Sequence, residues 1–348
     1  MARTYLPAAV LAGAGLAFAV AVAAGPVPDR LDRFRALASD QLSAAQVLDA
    51  AAAEEAYREA YALLDDEIVE SLASGSLFSS TAFLQERLDA FSEAWGGAAV
   101  RIVRLGALTV GVFQLGERTM GNSVRVYGKL RDEAALLTTL SRAGSPTLYP
   151  LPPQASAVQF LVAWDGLVSA RGSRPVRLEL ARQQGDNMRV VWSTADVYAG
   201  DVVARSYAVR GAELRLRYEL RYPGWVPGCE HQTEQEDVYR LAPTGLYTRV
   251  SQRQYDSWHR DLRASAARLF IALGTGDRRT LTELVPDPRL RDRLPARLDA
   301  DAVCDAPSSA AAEQVSVGAI DAQGAPWALT FQRTGPRWRV TAAAPVIQ

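Results

Sequence analysis

Residue types that can bind a metal or act as a nucleophile come together in this sequence at Cys229, Glu230 and His231. The only other histidine is His259, which follows Asp256 at a D-x-x-H spacing. A zinc site needs three or four such groups converging at ~2.0–2.3 Å, and the spacing found here matches no metal-binding pattern. We therefore predict no metal site and no cofactor, and interpret these residues as part of a solvated surface loop.

A second group with chemical potential is the set of carboxylates at Glu230, Glu234, Glu236 and Asp237. Alternate residues of a strand share a face, so Glu234 and Glu236 should point one way and Asp237 the other. Two carboxylates on a sheet can serve as acid and base in a hydrolase. The sequence has no G-x-S-x-G nucleophile motif and no strand-preceded phosphate loop. We predict no catalytic residue, and keep a hydrolase with a carboxylate or metal site as an alternative.

Cys229 and Cys304 are the only cysteines of the chain. In an exported protein, two cysteines most often pair, so we predict a disulfide between them. It would close a loop of roughly 75 residues and contribute about 4 kcal/mol of stability in the chain-entropy model.

The N-terminal segment supports export. Arg3 is followed by an uncharged run from Leu6 to Ala24, which ends in small residues suited to cleavage after about Ala23 or Ala24. We predict a signal peptide over residues 1–24 and a periplasmic or extracellular protein. The alternative is an uncleaved anchor, since the run is long enough to span a bilayer.

Charged residues are distributed unevenly along the chain. Residues 29–93 carry fourteen acidic and five basic side chains, a net charge of −9, whereas residues 96–348 carry 25 acidic and 32 basic side chains, a net charge of +7. The basic residues alternate with acids instead of forming a block, which argues against nucleic-acid binding.

Residues 30–95 show the period of amphipathic helices. Tyr57, Tyr61, Leu64, Ile68 and Leu72 recur at steps of four or three, and a second stripe ends at Trp95, before Gly96 and Gly97. We predict an N-terminal helical segment whose apolar stripes are buried.

Residues 98–258 change to the alternation of antiparallel strands, clearest in Glu213–Tyr222. Turn residues predict the hairpins 175–184 with 188–198, 203–209 with 213–222, and 233–241 with 246–254. Earlier strands are expected at 99–105, 108–115, 122–130 and 157–164, with a helix at 131–143 and a proline-rich connection at 146–153. The predicted product is a central antiparallel domain, built as a strongly curved sheet or an open barrel.

Residues 259–348 predict two helices followed by strands at 313–320, 326–333 and 337–343. The run AARLFIALGTGDRRTLTELVPD and the ending WALTFQRTGPRWRVTAAAP resemble the NTF2-like cone fold, in which an A-L-x-x-G-D helix exit precedes a sheet ending on a W-x-V strand, here Trp338-Arg339-Val340. The resemblance covers about 85 residues. It implies a C-terminal α+β unit with a cone-shaped pocket or a dimer face, and it assigns no chemistry.

These observations predict an exported, non-catalytic envelope protein of the α+β class. We expect its curved sheets to bind an apolar or amphiphilic small molecule, or another envelope protein, through inward-facing rings at Trp192, Tyr218 and Tyr222. The alternative is a structural or scaffolding component of an envelope assembly that docks through its acidic helices.

Overall fold

A computed structural model describes residues 29–41, 50–116, 121–198, 200–307, 312–335 and 337–346. The predicted signal or anchor segment, residues 1–24, lies outside them. No helix of this described part combines the length and the apolar character needed to cross a membrane. The fold is the predicted α+β mixture, in which three antiparallel sheets are accompanied by helices at both ends of the chain.

Three helices, which we call the head, form the N-terminal part as predicted: α1 Arg30–Gln41, α2 Ala50–Ser74 and α3 Thr81–Ala94, with a 3₁₀ turn at Ser76–Ser79. The hydroxyl of Ser80 accepts a hydrogen bond from the Phe83 N–H and caps α3. The apolar stripes of α2 and α3 are buried against each other and against the first sheet.

The front sheet is a four-stranded meander of β1 Ala99–Leu105, β2 Leu108–Gln114, β3 Asn122–Leu130 and β4 Glu133–Ser141. The predicted helix at 131–143 is wrong, because this segment is β4. Arg131 and Asp132 both adopt positive φ angles, of 52° and 68°, and so form a tight turn that folds β4 back onto β3. Pairing with β3 outweighs the helical preference of the alanines and leucines of this segment.

The curved sheet has eight strands, paired in the order β12-β11-β10-β9-β7-β6-β5, with β8 also paired to β7. Its strands are β5 Ser145–Pro150, β6 Gln159–Asp165, β7 Arg174–Gln184, β8 Asn187–Ser193, β9 Val202–Arg210, β10 Glu213–Glu219, β11 Glu234–Leu241 and β12 Tyr247–Tyr255. A short helix, α4 Thr194–Tyr198, follows β8. The three predicted hairpins are confirmed. The proline-rich connection differs from expectation, since Pro146 and Pro150 belong to β5 at the sheet edge, where proline costs no ladder hydrogen bond.

The curved sheet bends toward itself without closing into a barrel. The Arg182 guanidinium of β7 donates a hydrogen bond of 3.1 Å to the Thr244 carbonyl in the turn before β12. One face of β6 packs on the front sheet through Phe160, Val162 and Trp164, while Leu161 and Ala163 face the inner side. The layers are therefore head, front sheet and curved sheet.

The C-terminal unit contains α5 Ser257–Thr275, α6 Arg278–Leu284 and α7 Pro288–Arg291, followed by β13 Leu298–Ala300, β14 Ala306–Pro307, β15 Gln314–Asp321, β16 Pro326–Thr334 and β17 Arg337–Pro345. The two predicted helices and three predicted strands are present, and the Asp277 side chain caps α6. The helices precede the sheet in the chain, as in the NTF2-like fold that this segment resembles. Membership of the NTF2-like family stays a prediction.

Candidate functional site

Two of the three aromatic residues predicted to bind a ligand lie in one cluster on the inner side of the curved sheet. The Trp192 ring contacts Tyr239 and Tyr247 at centroid distances of 5.5 and 5.1 Å. The Tyr218 ring lies 5.0 Å from the Tyr198 ring. These rings are packed among the apolar core residues of the sheet.

Tyrosine hydroxyls of this cluster converge on Asp237, whose side chain is fully buried, whereas the buried Tyr247 hydroxyl has no hydrogen-bond partner among the described residues. Its carboxylate accepts hydrogen bonds from the hydroxyls of Tyr198, at 2.6 Å, and Tyr218, at 3.2 Å, and forms an ion pair of 3.2 Å with Arg249. Burial is the main cause that raises the pKa of Tyr198 and Tyr218 above the usual tyrosine value. The second cause is the hydrogen bond to Asp237 for Tyr198, and the negative charge of Asp237 for Tyr218. The phenols are therefore neutral donors, and the network is satisfied within the protein.

The third predicted aromatic residue, Tyr222, lies elsewhere, at the junction of the curved sheet and the C-terminal unit. Its hydroxyl accepts a hydrogen bond from the Thr233 N–H and lies 2.5 Å from Nδ1 of His259. The His259 Nε2 atom lies 2.7 Å from a carboxylate oxygen of Asp305, which also forms an ion pair of 2.9 Å with Arg263. The Arg263 Nε–H is not directed at the carboxylate, so this contact is an ion pair and not an aligned hydrogen bond.

The predicted disulfide is confirmed at the same junction. Cys229 and Cys304 are bonded, and the bond joins the loop between β10 and β11 to the segment that carries Asp305. A buried histidine, an arginine and an aspartate thus meet beside a covalent link between two parts of the chain. These contacts fix the position of the C-terminal unit.

The remaining candidates from the sequence do not converge. Glu230 and His231 are exposed. Glu234 binds Arg205 and Arg217 at 2.7 and 2.6 Å, on the face of β11 opposite to Asp237. Within the residues described, no group of three or more histidine, cysteine or acidic side chains is placed to hold a metal ion.

A cleft of 390 Å³ opens where the head, the front sheet and the β7–β8 turn meet, and we call it the mixed cleft. Its apolar wall is formed by Leu72 of α2, Leu108 of β2 and Leu137 of β4. Gly128 of β3 is part of its lining, and a Cβ atom there would lie 2.7 Å from Leu137 and 2.9 Å from Leu108. The glycine therefore allows the two leucines to approach each other over the strand.

The mixed cleft also has a cationic side. Arg104 donates hydrogen bonds to the Thr109 hydroxyl, at 2.8 Å, and to the Gly106 carbonyl, at 3.1 Å, both of which are neutral. Lys129, the only lysine of the chain, lines the same cleft. No ion pair joins either cation to a carboxylate within the described residues, although Asp186 lies on the lining.

A hydrogen bond and an ion pair between β3 and α2 hold the floor of the mixed cleft in place. Tyr127, which is fully buried and precedes Gly128, donates a hydrogen bond of 2.7 Å to Asp65 of α2. Asp65 also forms an ion pair with Arg125 of β3. Burial first, and then the charge of Asp65, raises the pKa of Tyr127 well above its usual value. This neutral hydroxyl thus ties the front sheet to the head.

No sequence pattern points to the mixed cleft. Its lining comes from α2, the 3₁₀ turn, five strands and two hairpin turns, and these residues share no local pattern. The one signal that the sequence offers is Lys129, the single lysine of the chain.

No protein-family model matches the chain. No curated protein matches it either.

Proposed function

We propose that this protein is an exported, non-catalytic binding protein, and that its mixed cleft takes a small amphiphilic anion. The observation that supports this most is the pairing of an apolar wall with two cations that have no carboxylate partner in the described chain. A ligand with a short apolar body and a carboxylate, sulfonate or phosphate group would satisfy both sides of the cleft. The volume is near the lower end of the ~300–1,000 Å³ range of small-molecule sites.

Export is supported by the disulfide and by the N-terminal signal pattern. Disulfides persist in oxidising compartments and are rare in the cytosol. In this proposal, the aromatic cluster around Trp192 and Tyr218 has a structural role, because it packs the inner side of the curved sheet, whose other face supports the front sheet. Tyr222 also has a structural role, because its contact with His259 helps to hold the C-terminal unit in place.

The experiment is a calorimetric titration of the purified, non-reduced protein with decanoate, decyl phosphate and decanol. Both anions should bind, and decanol should bind at least about tenfold more weakly, since a charge-assisted hydrogen bond is worth ~1.5–3 kcal/mol. The double variant Arg104→Gln with Lys129→Gln should reduce the preference for the anions. Arg189→Gln, which removes an exposed arginine of β8, is the matched control.

Equal binding of decanol and decanoate would contradict the role of the cations. Absence of binding by all three probes, with the protein shown to be folded, would contradict the proposed function itself.

A second role, as a scaffolding component of an envelope assembly, is favoured by a separate observation on the head. Leu77 and Phe78 are 80% and 52% exposed, and Phe78 lines a cavity of 560 Å³ on the head.

A further inference from the structure

The head has a concave and partly apolar surface, which we call the head patch. Its cavity of 560 Å³ is lined by Phe78, Phe83, Ser71 and the ion-paired Glu67. The rings of Phe78 and Phe83 meet edge to face at 5.1 Å, and the Ser71 hydroxyl donates a hydrogen bond of 3.0 Å to the Phe78 carbonyl. Exposed apolar groups around a concave surface are typical of an interaction site.

The electrostatics of the head patch favour a cationic partner. Residues 29–93 carry a net charge of −9. At the patch itself, the cavity is lined by three carboxylates and two arginines, Arg30 and Arg87, with which Glu67 and Glu70 form ion pairs. The carboxylates are thus in excess by one, and Asp66 is a further exposed carboxylate on the same helix. An anionic field of this kind attracts basic surfaces and repels acidic ones.

The C-terminal unit of the same chain has a surface with the opposite properties, which we call the tail patch. Residues 257–297 carry nine arginines against five carboxylates. Ile271 of α5 is 66% exposed, and Arg278 and Arg279 at the start of α6 are exposed without an ion pair in the described chain. The tail patch thus combines the exposed apolar side chain of Ile271 with two exposed arginines, Arg278 and Arg279, which lie close to it in sequence.

We infer that the head patch of one molecule binds the tail patch of a second copy, with Ile271 inserted beside Phe78. The head and the C-terminal unit are built on separate apolar cores, with the curved sheet between them in the chain, so each copy presents both patches. Because the two patches differ, the contact is heterologous and leaves one free head and one free tail on every pair. Copies can therefore add one after another, as a scaffold requires. This inference does not depend on ligand binding in the mixed cleft.

The contact should weaken with salt. Charges on opposing surfaces are screened within a Debye length of ~10 Å at 0.1 M ionic strength and ~3 Å at 1 M. Association that persists unchanged in high salt would contradict the role given to the charges.

The test uses sedimentation velocity on the purified full chain and two variants that each remove one patch. The head variant is Leu77→Ser with Phe78→Ser, and the tail variant is Ile271→Ser. All three positions are exposed, so the substitutions should leave the fold intact, which circular dichroism checks. The matched control is Leu167→Ser with Val168→Ser, an apolar pair that is 76% and 60% exposed on the β6–β7 loop.

The wild type and the control should show masses that increase with concentration beyond the dimer. Each patch variant alone should be monomeric, with association weakened at least about tenfold. An equimolar mixture of the two variants should form dimers and nothing larger, because it contains only one compatible pair of patches. The same mixture at 1 M salt should be monomeric.

Three results would overturn the inference. One is a monomeric wild type at every concentration in low salt. Another is association that persists in either patch variant, as it would if residues 6–24 drove it. The last is a mixture of variants that stays monomeric while the wild type associates.

Discussion

The junction between the curved sheet and the C-terminal unit offers the sharpest test of the structural reasoning. Replacing both Cys229 and Cys304 by serine removes a link that spans 75 residues of sequence. In the chain-entropy model, a loop of that length is worth about 4.5 kcal/mol at 25 °C. We therefore expect the free energy of unfolding to fall by about 4 kcal/mol in the double serine variant.

The neighbouring aspartate makes the prediction more specific. Asp305 directly follows Cys304, and its side chain is only 2% exposed between His259 and Arg263. Its replacement by asparagine leaves a buried arginine without a counter-charge, which costs about 3–5 kcal/mol when the surrounding structure stays in place. Without the disulfide, the segment that carries Asp305 can move away, and the arginine can reach water. The two changes should therefore be non-additive, with a coupling of at least about 1 kcal/mol.

The assay is urea unfolding of four proteins: the wild type, the double serine variant, Asp305→Asn and the combination. Reduction of the wild type with a phosphine should reproduce the double serine variant, which controls for effects of serine itself. Hydrogen exchange should locate the loss of protection in residues 222–233 and 298–307.

Two outcomes would refute this reasoning. The first is a loss below about 1 kcal/mol on removal of the disulfide, which would mean that the junction holds the chain together without it. The second is full additivity, which would mean that Asp305 keeps its position independently of Cys304.

Three further predictions concern the head and the aromatic residues. Asp65→Ala should lower the free energy of unfolding by about 3 kcal/mol in urea titrations, because it leaves the largely buried Arg125 without its partner; a loss under 1 kcal/mol would contradict the pairing. Burial raises the pKa of Tyr247 from 10 to about 12, so its neutral form is favoured by folding, and stability should fall as the pH rises from about 10 toward 12. Phenolate absorbance at 295 nm should then rise together with the loss of circular dichroism, and ionisation near pH 10 in a protein that keeps its native spectrum would refute this. Ser80→Ala should cost about 1 kcal/mol in thermal unfolding through loss of the α3 cap, whereas Ser80→Asp should not.

The local rules of the sequence account well for the helices and hairpins. Steps of three and four identify the buried stripes of α2 and α3, and alternation with turn residues identifies β7 to β12. The disulfide is also predictable, because the chain has only two cysteines and a signal-like N-terminus. In each case the deciding contacts are close in sequence, or the candidates are too few to leave a choice.

The same rules fail at β4 and β5. In β4, alanine and leucine favour a helix, and the strand exists because Arg131 and Asp132 form a turn that places it beside β3. In β5, prolines indicate an irregular connection, and the strand forms because one edge of β6 is open to it. Both outcomes depend on a neighbouring strand, so a local pattern does not contain them.

By itself, the sequence determined the α+β class, the helical head, the order of most strands and the covalent link at Cys229 and Cys304. These follow from periodicity and composition. Only the tertiary structure decided that Asp237, Tyr198 and Tyr218 share one network, and that Leu72, Arg104 and Lys129 line one cleft. Sites of this kind join side chains from distant elements, and their proximity is set by how layers pack, which no spacing along the chain records.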